Sequence, residues 1–264
     1  MTADVYQLLR QMAKKLIVGC PWLAARLLAS SQYKIIGANE VRDYNVSARN
    51  GWSHALTAKR QERAYDTLLS KMYAGHARID LQVAAEAVSA AGLAQPRLLE
   101  IGCGSGYYSE IFSHFLNGRV SYTGIDQSPA MIERARRRYP RLRFEVCDAV
   151  ALPFPDKTFD IAFDGVSLMH IVNYEKAIAE CRRVASIACI FHSVPIFKNR
   201  ATTYFQKNAY GALVTETVFN RSSLLESFQR NGLHVVRYWD GIAYDLAHIA
   251  GEPSHCETFL CALR

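Results

Sequence analysis

The run Arg97-Leu98-Leu99-Glu100-Ile101-Gly102-Cys103-Gly104-Ser105-Gly106 is the most informative part of this chain, because a short apolar strand passes directly into a turn with glycine at alternate positions. The following residues, Ser109 to Leu116, have the composition of a helix. Glycines at 102, 104 and 106 permit positive φ and let a ligand rest on bare main chain at the carboxyl edge of the strand. A dinucleotide fold would place a small residue at 107, where this chain has Tyr107, and no Gly-Lys-Ser/Thr follows to make a P-loop. The turn therefore points to a nucleoside-type ligand without a phosphate bridge.

Downstream, strand and helix signals alternate. Residues 119–126 read as a second strand and 128–139 as a second helix, opened by Ser128 as a cap and Pro129 in the first turn. Residues 142–148, 159–167 and 186–194 read as strands three to five, with a helix over 174–184 before the last. A helix near 222–231 has the capping-box spacing Ser223 to Glu226, and residues 234–239 and 258–263 read as two final strands. Such alternation predicts an α/β fold, a parallel sheet with helices on both faces. Upstream of Ala91-Gly92 the texture is helical, over 53–73 and 78–91, with a loop-like stretch at 37–52. The expected division is a helical arm and cap over 1–92 and a ligand-binding domain over 93–264, with loop insertions near 196–220 and 241–256.

Two acidic strand ends strengthen the nucleoside reading. Asp126 ends strand two, 20 residues past Gly106, where a carboxylate can accept both ribose hydroxyl protons. Asp148 ends strand three, where it can accept from an adenine amino group while Ala149 offers its backbone N–H.

Composition bounds the remaining choices. Of 264 residues, 50% are hydrophobic and 21% charged, which supports a sizeable core and excludes wholesale disorder or a collagen-like repeat. Seven cysteines without a Cys-x-x-Cys pair suggest neither a disulfide framework nor a zinc site and fit a reducing, cytoplasmic compartment. The net charge of +7 is concentrated in residues 1–80, with 12 Lys/Arg against 6 Asp/Glu. Leu16 to Ala29 is interrupted by Pro21 and Arg26 and is too short for a membrane span or a signal peptide. A weak membrane-surface contact through this basic arm stays open.

The ordered set EIGCGSG, GIDQSPAMIERAR, CDAVALPFPDKTFD and the next strand with SLMH resembles the class I S-adenosylmethionine-dependent methyltransferases, in particular the bacterial type 11 small-molecule group. The resemblance is strong over about 96–195 and implies a Rossmann-like, seven-stranded, mostly parallel sheet with an antiparallel last strand. It implies S-adenosylmethionine as cofactor and S-adenosylhomocysteine as product. By position, Glu100, Gly102, Gly104 and Gly106 would shape the methionine pocket, and Asp126 would hold the ribose. Gln127 and Met131 would border the adenine, and Asp148 and Ala149 would read its edge. Asp164 to Val166 would face the amino acid part and the methyl group. An N-terminal helix commonly closes the methionine end, and Trp52, Arg60 and Tyr65 are placed to do so.

The acceptor is less legible. His170 after strand four and His192 at the end of strand five are candidate bases for an alcohol. Tyr204, Phe205, Tyr210, Trp239 and Tyr244 offer rings for stacking. His248, Glu252 and His255 match no metal-ligand spacing, and no metal is expected. Asp164-Gly165-Val166-Ser167 departs from the Pro-Pro-Tyr/Phe stretch of base-amine methyltransferases, and the arginines between 134 and 143 read as a solvated face, so nucleic acid is disfavoured. The reading favours O-methylation of a small molecule, a sugar, glycoconjugate or secondary metabolite. C- or N-methylation is the alternative, and a membrane-associated or macromolecule-binding methyltransferase-like module without activity is a different class.

Overall fold

The computed structural model describes residues 30–41 and 51–263. Its strands are β1 (Ser30–Ile36), β2 (Arg97–Ile101), β3 (Ser121–Asp126), β4 (Arg143–Val146), β5 (Phe159–Gly165), β6 (Ala185–Phe197), β7 (Thr203–Ala209), β8 (Ala212–Asn220), β9 (Leu233–Ala243) and β10 (Ser254–Leu263). The helices are α1 (Ala55–Tyr73), α2 (Ile79–Ala90), α3 (Tyr107–Phe115), α4 (Pro129–Arg138), α5 (Tyr174–Val184), α6 (Arg221–Arg230) and α7 (Ala247–Ala250), with a 3-10 turn at Leu168–His170. Among the described residues no helix is long and apolar enough to cross a membrane. The amphipathic arm lies, up to residue 29, outside the described residues.

Strands β4-β3-β2-β5-β6 are parallel in that order, and β10 joins the far side of β6 antiparallel, carrying β9 at the edge. The central strands are apolar almost throughout because helices cover both faces; β2, for example, is buried from Leu98 to Ile101. On one face Phe191 stacks on Phe228 of α6 at 4.6 Å, and on the other Phe112 of α3 meets Phe163 edge-on at 5.1 Å. Ser128 caps α4 through Met131 N at 3.3 Å with Pro129 behind it. The cap of α6 is Asn220, which accepts from Ser223 N at 3.1 Å, so the cap lies three residues before the Ser223 of the expected capping box.

The sheet has ten strands where seven were expected. Residues 196–220 are the reason, since they are not a loop. Strand β6 continues to Phe197 and pairs there with β8 in parallel, while β7 and β8 form a hairpin onto which β1 adds antiparallel. The two turn residues Tyr210 and Gly211 both have positive φ, 51° and 81°, the geometry whose twist suits a two-residue hairpin. Ser30–Ile36 is accordingly a strand within the stretch read as a helical arm. The 241–256 insertion is also mostly regular, with β9 reaching Ala243, α7 following, and β10 starting at Ser254.

Candidate active site

The strand order reverses at β2, whose parallel neighbours β3 and β5 lie on opposite sides of it, and at the carboxyl ends of these strands a cleft of about 630 Å³ opens. Its floor is the glycine turn. Gly102 has φ 69°, and a Cβ added there would lie 2.2 Å from the Ser167 Cβ, so only glycine fits. Gly104 N donates to Asp126 Oδ2 at 2.9 Å and Ser128 N to Asp126 Oδ1 at 2.8 Å. This clasp locks the turn to the end of β3. Burial pushes the Asp126 carboxyl up, opposed by the two N–H bonds, and each oxygen keeps a lone pair for a ligand hydroxyl.

Of the residues expected to hold the donor or act as a base, Trp52, Tyr65, Gly102, Asp126, Gln127, Met131, Asp148, Ala149, Gly165, Val166 and His170 line the cleft. Val166 has φ 68°, a strained conformation for a β-branched residue, and Ser193 and Tyr210 on the same wall also have positive φ. Trp52 is held by its carbonyl, which accepts from Ser128 Oγ at 2.9 Å, and its ring lies 5.2 Å from that of His170.

Six expected residues lie outside the lining. Gly104 and Gly106 shape the turn from behind, the latter against the Phe144 ring. Glu100 is fully buried beneath Gly165, bonded by the Tyr122 hydroxyl, and burial raises its pKa well above the usual carboxylate range. Asp164 is 1% exposed and spends its oxygens on Ser167 N, Leu168 N and Ser167 Oγ, at 2.9, 2.9 and 2.5 Å. It shapes the turn that carries Val166 and His170, and burial pushes its pKa up to about 6. Arg60 donates to the Tyr210 carbonyl at 3.1 Å and so braces the β7–β8 turn. Its neighbour Gln61 lines the cleft instead, with Oε1 buried, unpartnered and pressed against Gly104.

The two histidines part company. His170 Nδ1 lies 2.7 Å from the Thr215 carbonyl, which can only accept, so Nδ1 carries the hydrogen and Nε2 is a free lone pair in the neutral ring. Burial, assisted by Lys207, lowers its pKa to about 4, so the ring is neutral near pH 7. His192 does not reach the cleft. Because β6 runs on to Phe197, His192 sits mid-strand, 1% exposed, bonded at 2.9 Å to Thr258 Oγ1 and stacked on Phe163. Burial lowers its pKa to about 4 as well.

The far end of the cleft is built by the hairpin and β9–β10, with Ser193, Lys207, Tyr210, Ile242, Tyr244 and Cys256 on its wall. Of the expected stacking residues, Tyr210 and Tyr244 are there; Phe205 is fully buried in the core, and Tyr204 and Trp239 are not in the lining. Gln61, Ser193 and Lys207 were not anticipated. The signal for Lys207 was present in the period-two pattern Thr203, Phe205, Lys207, Ala209, whose members are all buried. Glu252 is occupied by Asn199 N, away from His255, which pairs with Glu257 at 2.9 Å. The arginines of α4 and its exit are largely occupied: Arg134 bonds Glu62, Arg138 bonds Asp66, and Arg136 holds the Phe144 carbonyl.

Residues 99–188 match the family described as "Methyltransferase domain". The chain is 34% identical over 94 residues to a malonyl-(acyl-carrier protein) O-methyltransferase of Halorhodospira halophila, an overlap of 34% of this chain and 31% of that one. It is 27% identical to a demethylmenaquinone methyltransferase of Renibacterium salmoninarum, over 70% of this chain and 78% of the relative. It spans half or less, 26% to 50%, of the curated relatives that are 30% or more identical to it. The magnesium protoporphyrin IX methyltransferase of Synechocystis PCC 6803 has a similar fold, with a TM-score of 0.54 at 16% identity over 88% of this chain and 99% of that one.

Proposed function

We propose that this chain, whose residues 99–188 match the methyltransferase-domain family and whose fold is similar to that of a magnesium protoporphyrin IX methyltransferase, is a class I S-adenosylmethionine-dependent methyltransferase that methylates an oxygen of a small acceptor. The donor, when bound, supplies an electrophilic methyl group on a sulfonium. The residues present fit it. Bare main chain at Gly102 and the free lone pairs of Asp126 suit a nucleoside, and the orphaned Gln61 Oε1 suits an ammonium group. Asp148 and Ala149, with Gln127 and Met131, would border the base. The chain's own contribution is to hold donor and acceptor in line and exclude water.

One observation carries the reading: the Gly104–Asp126 clasp and a histidine with a fixed tautomer share one cleft. His170 Nε2 is placed to take the proton of an acceptor hydroxyl while the Thr215 carbonyl steadies the resulting imidazolium through Nδ1–H. The rings of Trp52, Tyr210 and Tyr244 give flat faces for a sugar or a planar secondary metabolite.

Calorimetry with S-adenosylhomocysteine tests the donor half, with one-to-one binding expected for the wild type and for His170→Gln, and about tenfold or greater loss for Asp126→Ala. Absence of wild-type binding would overturn the proposal. On an accepted hydroxyl substrate, His170→Gln should lower turnover by about 10²–10⁴. Unchanged turnover would remove His170 as the base and leave the hydroxyl to be positioned without one.

A further inference from the structure

The acceptor end of the cleft is chemically polarised. Among the described lining residues Lys207 is the single Lys or Arg, and the acidic residues Asp126 and Asp148 lie at the opposite, nucleoside-binding end. Lys207 is 5% exposed, bonded to Glu216, and donates to the Tyr244 hydroxyl at 3.3 Å. Glu216 is fully buried and lies outside the lining, so the chamber meets the cationic member of the pair and not the anionic one. Tyr244 bonds Glu216 as well, and Tyr33 bonds Tyr244 at 2.6 Å, so the network holds the ammonium from behind. Burial in a low-dielectric wall makes such a charge costly unless an anion faces it, and the buried partner satisfies only one side. Around this cation the wall is mostly aromatic or apolar, with Tyr210, Ala209, Ile242 and Cys256 beside the hydroxyl of Ser193.

We infer that the acceptor is a ring compound bearing a carboxylate, which docks on the Lys207 ammonium beside Tyr244 and thereby presents a separate hydroxyl to His170. The carboxylate is an anchor and is not the methylated group. This rests on the methyltransferase reading above. Both aromatic acids and sugar acids share the required chemistry.

The test is calorimetry on protein saturated with S-adenosylhomocysteine, using matched acid and amide probes: 3,4-dihydroxybenzoate against its benzamide, and glucuronate against glucuronamide. At least one acid should bind about tenfold or more tightly than its amide, and which one does so identifies the ring. That preference should vanish in Lys207→Met and in the double variant Lys207→Met/Glu216→Leu, which leaves no orphaned buried carboxylate if the single variant does not fold. The inference is overturned if neither acid is preferred, if no probe binds, or if the preference survives in the double variant. Failure of S-adenosylhomocysteine itself to bind would instead strike the underlying reading.

Discussion

His192 shows how local chemistry and position separate. Its sequence context matches that of His170, a histidine near the end of a strand in the same sheet, yet its ring is packed between Phe163 and Tyr108 with Nε2 buried and unpartnered. Replacing it with Phe removes the bond to Thr258 and also removes the orphaned nitrogen, so the net change in stability at neutral pH should be about 1 kcal/mol or less, roughly 2–4 °C in Tm. Turnover should be unaffected. The pH dependence has a definite sign. The folded-state pKa is about 4, below the ordinary value of 6.5, so neutral His192 contributes stability above 6.5 that is lost as pH falls towards 4. The variant lacks this loss, and its melting temperature relative to wild type should rise across that window in a thermal scan. A variant that instead abolished turnover while keeping its fold would return His192 to catalysis.

The hairpin β7–β8 builds the cleft wall proposed to face the acceptor, and Arg60 of α1 fastens its turn. Arg60→Met should therefore raise the acceptor KM several-fold with little effect on S-adenosylhomocysteine affinity, and hydrogen exchange at Tyr210 and Gly211 should quicken; unchanged exchange would show that the turn stands without this brace. The parallel strands and the Ser128-Pro129 cap were legible in the sequence because each depends on neighbouring residues: an apolar run, a capping hydroxyl, a glycine that alone tolerates its φ. The hairpin was not legible. Its turn is Tyr-Gly rather than Asn-Gly, and its strands bury polar residues, including Lys207, Thr215 and Glu216. Arg60 and Gln61 illustrate the same limit at one helix, since adjacent residues point about 100° apart and only the packing of α1 selects which one meets the cleft.

Across the molecule, one sheet unites the parallel strands that carry the proposed donor site with the β7–β8 hairpin, with β6 common to both. The cleft between them takes walls from α1, the central strands and the hairpin, so a ligand bound there ties distant segments together. S-adenosylhomocysteine at about 100 times its Kd should stabilise the fold by about 2.7 kcal/mol, a rise in Tm of roughly 5–10 °C. Differential scanning calorimetry checks this; a rise in wild type that persists undiminished in Asp126→Ala would place the ligand elsewhere.

His170 belongs to the turn after β5, but its tautomer is dictated by a carbonyl of β8. Anyone exchanging the hairpin to alter acceptor choice therefore also removes the group that orients the imidazole. If His170 is the base proposed above, substrate range and proton transfer are inherited as one unit, and a successful graft has to bring its own oxygen to the place of Thr215.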